Sequence, residues 1–148
     1  IAVSFDHAAA KGMVFAFGHA KSSAEHPNTA RLNVESKSGK KLCMTAASLG
    51  GGRILVTEMN DMPASFSGDL PTLIVQNVDK PGYVSDVASM LARAGVNIAT
   101  LQLHRNHPGG NAVMIIETDK SVAPEVVERL SRIEGILRVV FIDGADDE

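Results

Sequence analysis

The stretch Asn77 to Ile98, NVDKPGYVSDVASMLARAGVNI, joins an apolar run to an amphipathic one through a polar turn. An apolar run, Leu70 to Gln76, ends in a short polar turn and bends through Pro81-Gly82. It then enters a segment in which Val84, Val87, Ala88, Leu91 and Ala94 recur at helical spacing. This is a strand, a turn and an amphipathic helix. The turn carries an amide, Asn77, and a carboxylate, Asp79, and Gly82 leaves room beside the first helical turn. Asp79 is placed to cap the helix N-terminus. Backbone amides at such an end favour a carboxylate, while Asn77 or Asp79 accepts from an ammonium. The turn (Asn77, Asp79, Pro81, Gly82) therefore suits an amino-acid zwitterion, and equally suits a plain capped connection.

Working outward, Asn97 to His104 reads as a strand, Pro108-Gly109-Gly110 as a turn, and Asn111 to Glu117 as the hairpin partner. Pro124 suits the first turn of a second helix, which buries Val126, Val127, Leu130 and Ile133 and ends at Gly135. Ile136 to Ile142 is a last strand before an acidic tail. The order βαββαβ is the ferredoxin-like split motif, and it begins near Asp69.

The first part reads as a helix end closed by Gly12, a buried strand Met13 to Phe17, and a polar loop from His19 to Asn28. Thr29 to Glu35 alternates, with Ala30, Leu32 and Val34 on one face. A turn at Lys37 to Lys40 leads to a return strand, Lys41 to Leu49. Arg53 to Met59 alternates again, Asn60-Asp61 turns, and Pro63 to Ser67 is short and extended. Hairpin after hairpin implies an antiparallel sheet in an α+β chain. The expected division is 1–68 and 69–148.

Composition removes several function classes. The 148 residues are 45% hydrophobic and 21% charged, an ordinary globular balance. A net charge of −3, no Trp and one Tyr argue against a nucleic-acid surface. No run approaches the ~20 apolar residues of a membrane span. Cys43 is the only cysteine and sits in Leu42-Cys43-Met44, so it reads as a buried structural thiol in a reducing, cytoplasmic setting. One thiol does not hold an iron–sulfur cluster.

Three further motifs bear on chemistry. Gly50-Gly51-Gly52 lacks the Lys-Ser/Thr and the helix of a phosphate loop, and reads as a sheet corner where side chains would clash. His104 and His107 flank a hairpin turn without further metal ligands at a suitable spacing. His26-Pro27-Asn28-Thr29 offers an imidazole, an amide and a hydroxyl ahead of a strand, with His26 and Asn28 on one side of an extended chain. It is either a small polar-ligand site or a loop end satisfying local backbone groups. No catalytic triad, acid–base pair or metal site stands out.

The 70–142 order, with its NVDKPGYV turn, resembles an ACT domain, a regulatory module that pairs and commonly binds amino acids. Upstream, HPNTARLNVESKSGKKLCMTAASLGGGRILVTEMN resembles the β chain of bacterial iron–sulfur-dependent L-serine dehydratases. That resemblance implies conversion of L-serine to pyruvate and ammonia with an α chain that carries a 4Fe–4S cluster. It implies a partial allosteric-substrate-binding-like α/β domain followed by the ACT domain, and a homodimer through the latter. It also implies an active-site segment upstream of Ile1, so this stretch alone is expected to be inactive, with no catalytic residue of its own. His26, Asn28 and Thr29 match positions expected to hold serine as an effector. The alternative is a non-catalytic amino-acid-binding module, such as the allosteric tail of a phosphoglycerate dehydrogenase.

Overall fold

A computed structural model describes residues 3–19, 27–39 and 41–144. The first helix, α1 (Ser4–Ala10), ends where Gly12 takes a φ of +71° and buries none of its residues. Four strands follow: β1 (Thr29–Glu35), β2 (Lys41–Gly50), β3 (Arg53–Met59) and β4 (Met62–Phe66), paired in sequence order as an antiparallel meander. The two-residue β3–β4 connection has φ of 50° at Asn60 and 62° at Asp61, the left-handed pair that matches hairpin twist. It is also tied to the neighbouring strand. The Asn60 N–H donates to the Cys43 carbonyl at 2.8 Å, and the Cys43 N–H donates to Asn60 Oδ1 at 3.0 Å.

The second part runs β5 (Thr72–Val78), α2 (Tyr83–Arg93), β6 (Ile98–Arg105), β7 (Asn111–Thr118), α3 (Pro124–Ser131) and β8 (Ile136–Ile142). The sheet order is β6-β7-β5-β8, all antiparallel, as the ferredoxin-like topology requires. Alternation along the strands divides its side chains between two cores. Leu73, Val75, Met114 and Ile116 meet Val87 and Leu91 of α2 and Val126 and Leu130 of α3. On the other face Ile74, Val113 and Ile115 meet Val56, Met59, Ala64 and Phe66 of the first sheet. The molecule is thus a stack of helices, sheet and sheet. Two side-chain bonds bridge the sheets: Gln102 Nε2 donates to the Ser65 carbonyl at 2.6 Å, and Arg138 Nη1 to the Lys41 carbonyl at 3.1 Å.

Several expectations change. Met13 to Phe17 is neither strand nor buried, and Val14 is 97% exposed. An apolar run becomes a strand only when another strand takes its backbone groups, and among the described residues none does. Its rings gather locally instead, with Phe15 stacked on Phe5 at 5.1 Å and Phe17 edge-on to both. Ala30, Leu32 and Val34 do share one face, but that face is exposed because no core cluster among the described residues covers β1. Gly50, Gly51 and Gly52 form the β2–β3 turn with φ of 84°, 63° and 81°. A Cβ on any of them would meet nothing within 4 Å, so backbone conformation rather than crowding accounts for the glycines. Cys43 is half-buried rather than buried, and its Sγ accepts a hydrogen bond from Arg31 Nε at 3.1 Å. That bond, and a 2.8 Å bond to Asp61, hold the Arg31 pKa above its ordinary value.

Because the two sheets share a core, they are expected to unfold together. Phe66→Ala should cost about 3–5 kcal/mol and Leu91→Ala about 2–5 kcal/mol. Both should move one common urea transition. Two separated transitions would show that the sheets fold independently.

Candidate functional site: the turn between β5 and α2

Asn77 occupies the last turnward position of β5 that faces the helices, after Leu73 and Val75, and is 2% exposed. Its Nδ2 donates to the Val78 carbonyl at 2.7 Å. Its Oδ1 is buried and accepts no hydrogen bond. Leaving a buried acceptor unpaired costs about 1–3 kcal/mol, so such an atom calls for an explanation.

Asp79 does not cap α2. The helix N-cap is Gly82, at φ +107°, and no side chain caps the first-turn N–H groups. With Lys80, Pro81 and Gly82 intervening, Asp79 turns sideways to the β6–β7 hairpin. Its Oδ2 accepts the Gly109 N–H at 3.0 Å and faces Arg105 Nη1 at 3.5 Å. The Asp79 N–H donates to the Gly110 carbonyl at 2.8 Å, so the turn and the hairpin tip are joined by backbone as well as side chain. Pro81 and Gly82 are exposed at the rim.

The floor of the turn is set by Gly135. The Val78 N–H donates to its carbonyl at 2.9 Å, and Tyr83, the first residue of α2, donates its hydroxyl to the Glu134 carbonyl at 3.0 Å. A Cβ on Gly135 would run into the Tyr83 ring and hydroxyl, and φ there is +85°. Glycine is thus required twice over.

The other candidate stretch lies at the start of β1. Asn28 is exposed, and its carbonyl accepts the Ser48 N–H at 2.8 Å, which fastens the start of β1 to β2. Thr29 opens β1 and is half-buried. Both side chains belong to residues that already carry interactions. His26 lies outside the described residues. His104 is in β6 and His107 on the exposed hairpin turn, where the His107 N–H donates to Asn106 Oδ1 at 2.8 Å. Among the described residues no group of three or more His, Cys, Asp or Glu is arranged to hold a metal, and no helix is long and apolar enough to cross a membrane. The partners of Asp79, Arg105 and Gly109, were not singled out from sequence. Only an Asp–Arg pairing across a distant hairpin would have revealed them.

An uncapped helix N-terminus, an unpaired buried amide oxygen and a carboxylate surround one turn of a βαββαβ sheet. Residues 71–135, which carry this turn, match the family model of the ACT domain. Across both sheets the chain is similar to the probable L-serine dehydratase β chain of Bacillus subtilis. The match is 33% identical over 135 residues, 91% of this chain and 61% of that protein. It is 22% identical over 118 residues to the L-serine dehydratase β chain of Peptoniphilus asaccharolyticus, 80% of this chain and 53% of that one. It is also 29% identical over 112 residues, 76% of this chain, to 21% of the D-3-phosphoglycerate dehydrogenase of Methanocaldococcus jannaschii. The chain therefore spans less than two thirds of the length of these relatives.

Gly135→Ala should destabilise the protein by about 1–2 kcal/mol through its left-handed backbone alone, and by more through the Tyr83 contact. In a Tyr83→Ala background both the ring and the hydroxyl are gone and only the backbone cost should remain. Chemical denaturation of the double-mutant cycle measures both parts, and additive effects would show that the two residues do not collide.

Proposed function

We propose that the chain is a regulatory portion of the β subunit of an L-serine dehydratase, acting with an α chain in the cytoplasm to turn L-serine into pyruvate and ammonia. Residues 1–68 form the rear of the β domain in this reading, and 69–148 the ACT domain. The observation that carries it is the continuity of the match. One alignment of 135 residues runs through the hairpin sheet and the ACT domain together, as expected for two units inherited with a shared core. The reaction's 4Fe–4S cluster takes several thiolates. These residues include one cysteine, so in this reading they do not ligate the cluster, which the α chain carries. The similarity to D-3-phosphoglycerate dehydrogenases favours a second reading, in which the same two units sense an amino acid for a different enzyme.

The ligand in either case is L-serine or a close relative. At the β5–α2 turn its carboxylate meets the first-turn N–H groups of α2, and its ammonium meets Asn77 Oδ1 and the Asp79 carboxylate, with Pro81 and Gly82 shaping the rim. His26, Asn28 and Thr29 are the competing effector site. ACT domains pair across a two-fold axis, and a homodimer through 70–142 is part of the proposal.

Calorimetric titration with L-serine separates the sites. A lost hydrogen bond to a charged group costs roughly 1.5–3 kcal/mol, so Asn77→Ala should weaken binding by about tenfold or more. Unchanged affinity in Asn77→Ala with loss in His26→Ala or Asn28→Ala would move the site to the start of β1. The subunit reading has its own test. The chain should co-purify with a co-expressed L-serine dehydratase α chain and make no pyruvate by itself. Failure to associate would favour the second reading, and light scattering that reports a monomer would remove the dimer.

A further inference from the structure

The geometry points to a built-in latch: the β6–β7 hairpin occupies the carboxylate of the ligand turn, and ligand binding must displace it. This rests on the β5–α2 turn being the ligand site. Both acceptors that an ammonium would use there are closed. Asn77 Oδ1 is buried and unpaired. The Asp79 side chain is only 20% exposed, and its Oδ2 is taken by the Gly109 N–H and faced by the Arg105 guanidinium. Arg105 supplies the same charge as an incoming ammonium, so the protein's own cation stands in for the ligand's.

The hairpin is built to move as one piece. Asn106 Oδ1 accepts the N–H groups of both His107 and Asn111, at 2.8 and 2.9 Å, which closes the turn on itself. Gly110 packs so tightly beneath Asn106 and His107 that no Cβ fits without displacing them. Gly109, at φ +73°, aims its N–H outward at Asp79. The hold on Asp79 is correspondingly light. It consists of one N–H bond, one Arg contact at 3.5 Å with Arg105 largely exposed, and the Asp79 N–H bond to Gly110.

The hairpin also leads somewhere. Three residues before Arg105 on the same strand, Gln102 donates to the Ser65 carbonyl of β4, in the other sheet. A displacement of the hairpin tip is therefore delivered through β6 to the last strand of the preceding unit. Occupancy of the turn becomes a strain on the contact between the two sheets.

The experiment uses the chain as it stands, with L-serine as the probe. Arg105→Gln removes the competing cation while leaving Asp79 free to accept from Gly109, and affinity should rise about two- to fivefold, the scale of one exposed ion pair. Hydrogen exchange at the Gly109 amide should speed up when L-serine saturates the wild type. Asp79→Asn keeps an acceptor for Gly109 but loses the charge that attracts an ammonium, so binding should fall while the amide stays protected in the free protein. Equal affinity in wild type and Arg105→Gln, with Gly109 exchange unaltered by L-serine, would overturn the latch; the turn stays the binding site if Asp79→Asn still weakens binding and falls with the latch if it does not. No L-serine binding in any of the three proteins, each folded by circular dichroism, would overturn the turn as the site and the latch with it.

Discussion

The central strands β5 and β7 are apolar on both faces, and the rest of the structure follows from the need to cover them. Leu73 and Val75 point one way and Ile74 the other, and Met114 and Ile116 oppose Val113 and Ile115 in the same manner. A ferredoxin-like unit supplies helices for only one of those faces. At about 25 cal/mol for each Å² of apolar surface removed from water, leaving the second face wet would forfeit much of the stabilisation of a unit this small. The meander β1–β4 covers it with Val56, Met59, Ala64 and Phe66. The first sheet is consequently a structural layer of the second, rather than an appendage joined by a linker.

That packing limits how the βαββαβ unit meets other molecules. The face opposite its helices is already filled from within the chain, so association must use the helices or the free edges of β6 and β8. Gln102 and Arg138 fix the two sheets at opposite ends of the shared core. Movement at one sheet is felt at the other because close-packed interiors accommodate displacement poorly.

The turn after β5 shows how a binding-type geometry coexists with an ordinary connection. An amino-acid site needs anion-binding N–H groups, and an uncapped helix end supplies them. It needs an acceptor for a cation, and Asp79 is one. Yet a carboxylate left partly buried without a partner is costly, and the nearest donors are those of the neighbouring hairpin. The contact with Gly109 and Arg105 is the expected consequence of placing Asp79 there.

The eight paired strands and the two helices of the second half are legible along the chain, because their signals are local. Alternation in Thr29 to Glu35, helical spacing from Val84 to Leu91, and turn residues at Asn60-Asp61, Pro108-Gly109 and Gly135 act within a few residues of one another. The βαββαβ order and the turn that carries Asn77 and Asp79 were legible for the same reason. Which apolar faces find cover is settled by the packing of the two sheets. Met13 to Phe17 and the Leu32–Val34 face look as buried in sequence as Ile74 does, but burial is a property of what lies opposite, and pattern is silent on that. Likewise Asp79 reads as a cap from its position just before the helix. Its actual partners lie 26 and 30 residues away, brought to it by the β5–β7 register. Turn chemistry is short-range and can be read along the chain, whereas the pairing of a carboxylate depends on which hairpin the sheet sets beside it.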